Sequence, residues 1–234
     1  QTVDISNRDK PVIIKLLELA RNSIDISGLS QDSALELSSD TRWNSYDQAK
    51  SKLSVVPLSD PNTPEPLDAL TLQGYYDALF SMQNCTLLSG YRYDETKGNV
   101  TVVKGVSYDG ADFTLRGSLE ITGLNNYSYP GIYRDAPYYY FPYGQSEVKK
   151  ISDTALVYSG YEYSYENPLY PSSNIVLKVV DAAAPDNLDI AATIKIDLQS
   201  GSPTRTLWQG SRAYVSYAAP IANDGSAPQY QYYY

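Results

Sequence analysis

The side chains best suited to chemistry in this chain are its carboxylates and its tyrosines, because histidine is absent and cysteine occurs once. Without histidine there is no Ser-His-Asp or Cys-His relay, no imidazole-bound zinc and no side chain that titrates near neutrality by default. The single cysteine, Cys85, excludes an intrachain disulfide and a thiolate-held zinc or iron–sulfur site. It lies in an apolar strand context without a basic neighbour to activate it, and reads as a small buried residue. No phosphate-binding glycine loop, Gly-x-Ser-x-Gly elbow or His-Glu-x-x-His motif occurs.

Glycoside hydrolysis needs only two suitably spaced acids, so Asp94, Glu95, Asp109 and Asp112 are the carboxylates to weigh. All four fall at strand ends or turns, where acids are normally solvated. The acidic turns Asp94-Glu95, Asp109 to Asp112 and Asp186 to Asp189 offer oxygen ligands, and calcium there stays open. None has the twelve-residue spacing and closing Glu of an EF-hand. The reading is a protein that is not an enzyme, with no catalytic residue, no assigned metal and no cofactor.

Tyrosine is the unusual feature: 24 residues, against three Phe and one Met. Its ring buries a large apolar area while its hydroxyl needs a partner, which suits contact surfaces. Tyr91 and Tyr93, with Tyr161, Tyr163 and Tyr165, share a strand face with Leu87 and Val157, while Arg92, Asp94, Glu162 and Ser164 lie opposite. The tyrosine face is therefore expected to be buried or covered by a partner. Two more clusters stand apart. Tyr138, Tyr139, Tyr140 and Tyr143 occupy a connector punctuated by Pro and Gly, and Tyr232, Tyr233 and Tyr234 belong to a tail suited to adding a strand to an open sheet edge.

The elements that must position these residues are mostly strands. Beyond Cys85 the hydrophobic period is two, giving strands over residues 87–93, 99–107 and 112–122 with turns at Glu95–Gly98 and Tyr108–Gly110, an antiparallel meander. This unit recurs. Leu87-Leu-Ser-Gly-Tyr-Arg-Tyr93 matches Val157-Tyr-Ser-Gly-Tyr-Glu-Tyr163, Asn99-Val-Thr-Val matches Asn174-Ile-Val-Leu, and Phe113, Leu115, Leu119 and Ile121 match Leu188, Ile190, Ile194 and Ile196. The shared Ser-Gly-Tyr-x-Tyr is more than alternation demands, and a duplication with units at about 84–123 and 154–199 accounts for it.

Upstream, Ile13, Leu16, Leu17 and Ala20 have helical spacing, with Asp9 as a cap and Pro11 in the first turn, and predict a helix over Pro11–Ile26. Trp43, Tyr46 and Leu53 suggest a second, and the stretch 67–83 fits helix and strand about equally. The fold class expected is mainly β, an antiparallel β sandwich or curved sheet from two related three-stranded meanders, with one or two N-terminal helices. A helical region and proline-rich connector at 1–66 would precede the duplicated β region at 67–234, in one compact domain overall.

The net charge of −9 offers no basic stripe for nucleic acid, and no apolar run is long enough to span a membrane as a helix. A chain opening on Gln1 reads as a mature secreted protein. Three Asn-x-Ser/Thr sequences, at Asn84, Asn99 and Asn126, are compatible with glycans on an extracellular or cell-surface molecule. The function expected is that of an extracellular structural or self-assembling protein whose partner is itself. The alternative is a carrier that holds a hydrophobic or aromatic small molecule, pigment or glycan in a tyrosine-lined β cavity between the meanders.

Overall fold

The computed structural model describes residues 2–4, 12–15, 22–39, 49–58, 66–124, 147–164, 172–197, 202–209 and 212–218. Three four-stranded antiparallel sheets follow one another along the chain, each a plain meander. The first is β3 (Ser23–Gly28), β4 (Ser33–Ser39), β5 (Lys50–Pro57) and β6 (Asp68–Gln73). The second is β7 (Tyr76–Ser81), β8 (Thr86–Asp94), β9 (Gly98–Tyr108) and β10 (Phe113–Ile121), and the third is β11 (Glu147–Ser152), β12 (Ala155–Ser164), β13 (Ser172–Asp181) and β14 (Asp189–Asp197). Two-stranded hairpins flank this series: β1 (Thr2–Asp4) with β2 (Val12–Lys15), and β15 (Ser202–Gln209) with β16 (Arg212–Ala218).

The described residues contain no helix, which corrects the expectation for the N-terminal part. Of the stretch Pro11–Ile26, residues 12–15 are β2 and residues 23–26 open β3; of the stretch around Trp43 to Leu53, residues 50–53 open β5. Val12-Ile13-Ile14 is a β-branched run that favours extended backbone, and β3 alternates between half-buried and exposed residues as a one-sided strand does. Leu16, Leu17 and Ala20 lie outside the described residues. Trp43 and Tyr46 lie outside the described residues, as does most of the proline-rich stretch, whose flanks β5 and β6 pair directly, Val55 with Asp68. The ambiguous stretch 67–83 resolves into β6 and β7.

Gly74 and Tyr75 carry the chain from the first sheet to the second. Gly74 takes a φ of 107°, open to glycine and costly for other residues. The fully buried Ser51 holds this corner, donating from Oγ to the Gly74 carbonyl at 3.0 Å and accepting from the Tyr76 amide at 3.1 Å.

The sheets are held together by their faces. Leu87 and Leu88 are neighbours on β8, so they point to opposite sides, yet both are completely buried. Leu88 packs with Leu35, Leu37, Leu53 and Val55 of the first sheet. Leu87 packs with Leu156, Val176 and Val180 of the third. Each such leucine contributes roughly 1.5–3 kcal/mol by leaving water. The other face of the third sheet, through Val157, Ile175 and Leu177, meets Ala213 of β16.

First strands also adjoin: Asp25 Oδ2 of β3 accepts from the Leu79 amide of β7 at 2.7 Å, and Lys150 of β11 donates to the Ser81 carbonyl at the end of β7. The result is a succession of three stacked sheets where two meanders were expected. No helix among the described residues is long and apolar enough to cross a membrane.

The repeated segments occupy equivalent places. β8 and β12 are second strands, β9 and β13 third, β10 and β14 fourth. Arg92 pairs with Glu120 at 2.7 Å between second and fourth strands of one sheet, and in the other Glu162 pairs with Lys195 at 2.6 Å, the same bridge with its charges exchanged.

The shared Ser-Gly has a steric cause. A Cβ at Gly90 would lie 1.9 Å from the Tyr75 carbonyl oxygen, and one at Gly160 would lie 3.0 Å from the Leu124 side chain. Gly90→Ala forces backbone apart, whereas Gly160→Ala presses on a side chain that can give. Overpacking of this kind costs about 1–3 kcal/mol, so denaturant unfolding is expected to show Gly90→Ala at or above the top of that range and Gly160→Ala near its bottom.

Candidate functional site

Asp25 and Asp77 come together where the first strands of the first two sheets meet. The β7–β8 register shifts between Tyr76 and Ala78, leaving Asp77 as the extra residue of a β-bulge, a device that re-aims a side chain. Asp77 remains exposed to solvent, with protein crowding its carboxyl. This desolvation pushes its carboxyl up to about 6, opposed by its backbone hydrogen bond and reinforced by the charge of Asp25. Asp25 is already committed: Oδ1 accepts from the Ile26 amide at 2.8 Å and Oδ2 from the Leu79 amide.

Tyr158 of β12 lies between the second and third sheets, 3% exposed, with no hydrogen bond to its hydroxyl. Burial pushes this phenol well above its usual range; Ser89 is near enough to ease the shift without forming a bond of ordinary geometry, and the Asp77 charge adds to it. Asp25, Asp77 and Tyr158 were not singled out from sequence. A bulge leaves no mark in the hydrophobic pattern. Tyr158 did carry a signal, because it stands where the matching segment has Leu88.

The expected carboxylate candidates are turn-formers. Asp94 Oδ1 accepts from the Thr96 hydroxyl at 2.7 Å, the Thr96 amide at 3.0 Å and the Lys97 amide at 3.1 Å, and these bonds, with Arg92, hold its pKa far below the usual range. Asp109 Oδ1 accepts from the amides of Ala111 and Asp112, both at 2.9 Å, which lowers its pKa as well. Asp94 precedes β9 and Asp109 follows it, so a strand of 11 residues, about 36 Å long, separates the two turns. Among the described residues no three Cys, Asp or Glu side chains are grouped to hold a metal ion. Cys85 is buried, and desolvation pushes its thiol up.

The tyrosines divide. Tyr91 is half-buried and meets Tyr75 edge-on, ring centroids 5.1 Å apart, but Tyr93 is 60% exposed, so the face expected to be covered opens toward its end. Both sides of β8 are covered from Leu87 to Gly90; beyond that point the strand has passed β7 and pairs with β9 alone. Tyr161 and Tyr163 belong to the backbone ladder of β12, opposite Ile175 and Ser173. Tyr138, Tyr139, Tyr140, Tyr143, Tyr165, Tyr232, Tyr233, Tyr234 and Asn126 lie outside the described residues. Asn84 is exposed, and Asn99 is in β9. The space between the second and third sheets is occupied by Leu87, Val103, Ile121, Leu156 and Val176.

Two measurements probe these groups. Because the folded pKa of Asp77 is raised, the native state holds the proton more tightly than the unfolded chain, and stability falls as pH rises from about 4 to 6. Asp77→Asn is expected to remove that dependence in urea titrations and to be the more stable form at pH 7. Tyr158→Phe deletes an unpartnered hydroxyl, so its melting temperature is expected to equal or exceed that of the parent, since no hydrogen bond is lost. Compared with known proteins, the chain matches no family model, no curated protein and no solved structure.

Proposed function

We propose that the chain is an arc of β-propeller blades that acts as a structural scaffold, working by assembly rather than catalysis, on the outside of the cell. Consecutive four-stranded meanders, stacked by their faces with first strands side by side, support the propeller reading. The observation that carries the assembly reading is the set of large side chains left open on the sheets, Ile24, Ile26, Tyr93 and Ile194. Exposed apolar and aromatic groups of this kind mark interaction surfaces.

Other features fit. Tyr93 and Tyr214 place amphipathic rings on the surface, where contact surfaces favour tyrosine. Asn84 is an exposed acceptor for a glycan, and the charge of −9 opposes non-specific clumping. Native mass spectrometry and negative-stain imaging over a dilution series are expected to find oligomers whose population rises with concentration. A monomer at every concentration overturns the proposal.

A further inference from the structure

The space between the second and third sheets is filled along part of its length and open at one end. Residues two apart on a strand share a face. Leu87, Ser89, Tyr91 and Tyr93 of β8 therefore point at the third sheet, and Leu156, Tyr158, Gly160 and Glu162 of β12 point back at the second. The first rungs are closed: Leu87 and Leu156 pack in one cluster, and Ser89 lies beside Tyr158. At the next rung Gly160 has no side chain, and the buried Leu124 lies over it, 3.0 Å from where a Cβ would stand.

Beyond this floor the packing stops. Tyr93 points at the third sheet and is nevertheless 60% exposed. Glu162 points at the second sheet and pairs with Lys195 at 2.6 Å, the two side chains 41% and 57% exposed. Lys195 is on that same face, because it stands opposite Val176 of the shared cluster. Two surfaces that face each other and are both open to water bound a cleft. One wall is aromatic: Tyr93, then the half-buried Tyr91 with Tyr75 set edge-on to it. The other wall is polar. Glu162 accepts hydrogen bonds, Lys195 donates them, and the half-buried Asn174, opposite Glu162 in the ladder, does both.

We infer that this cleft binds a neutral carbohydrate, with a sugar ring lying on Tyr93 and its hydroxyls turned to Glu162, Lys195 and Asn174. A sugar presents an apolar C–H face and a rim of hydroxyls that both donate and accept, and the two walls supply a counterpart for each. Charge decides against other small ligands. Glu162 and Lys195 cancel, so an anion meets the carboxylate and a cation the ammonium, each at a loss. A purely aromatic compound stacks on Tyr93 but strips water from the ion pair without replacing its hydrogen bonds. The inference goes beyond the scaffold reading and holds for a single copy of the chain.

The test is titration calorimetry of the parent chain with cellotriose, mannotriose and acetylated chitotriose, and with p-cresol as an aromatic control. At least one trisaccharide is expected to bind, and p-cresol is not. Tyr93→Ala and Glu162→Gln change side chains already open to solvent. Each is expected to leave the circular dichroism spectrum unchanged and to weaken binding about tenfold, a loss of roughly 1.4 kcal/mol. Tyr214→Ala removes another exposed tyrosine, on β16, and is expected to bind as the parent does. A parent chain that takes up none of the trisaccharides at millimolar concentration overturns the inference. Binding that survives both Tyr93→Ala and Glu162→Gln unchanged also overturns it, because the sugar then sits elsewhere. So does uptake of p-cresol alone, which makes the cleft a site for aromatic compounds. None of these outcomes depends on whether copies associate, so this inference and the scaffold reading fail separately.

Discussion

Everything in this molecule depends on sheets that are apolar on both faces. A strand with one buried side can end a structure; β8, with Leu87 and Leu88 both wholly buried, cannot. Such a sheet is stable only between two others, and the demand passes outward from sheet to sheet. The second sheet meets it on both sides, through the Leu35–Leu53–Leu88 cluster and the Leu87–Leu156–Val176 cluster. Polar groups serve this packing. Ser51 holds the corner that swings the chain onto the next sheet, and Asp25 ties adjacent first strands together through a backbone amide.

The same constraint explains what could be read from the residues in order. The three-stranded units over β8–β10 and β12–β14 were legible because apolar residues recur at alternate positions along their sequence, as Phe113, Leu115, Leu119 and Ile121 do in β10. The matching Ser-Gly pairs were legible too, and their reason is the close approach of other residues to Gly90 and Gly160. Less legible were the strands that begin each sheet. β7 and β11 are six residues long, and β7 is broken by a bulge, so each looked like connector or helix. The first sheet was missed as a third relative because its β4 is buried along most of its length, Ala34 to Ser39, which erases the period-two signal.

The polar cluster was hidden for a different reason. Sequence reasoning weighs a carboxylate by its neighbours in the chain, which made the turn residues Asp94 and Asp109 conspicuous and left Asp77 unremarked. In space the order reverses: the turn carboxylates are satisfied by amides of their own loops, whereas Asp77 and Tyr158 sit where sheets converge and lose solvation. Alternation puts Tyr91 and Tyr93 on one strand face but does not reveal how far the neighbouring sheets extend. Tyr93 falls past that limit.

The exchanged ion pair has a bearing on how such a chain tolerates change. Arg92 with Glu120 and Glu162 with Lys195 join second to fourth strands at matched positions with opposite polarity. Both bridges are largely solvated, so each is worth at most about 1 kcal/mol. A reversal through one like-charged intermediate therefore costs little, while the aliphatic positions beneath allow no comparable detour. The outer surface of each unit is free to drift in sign, and the units can diverge in what they attract while their interiors stay interchangeable.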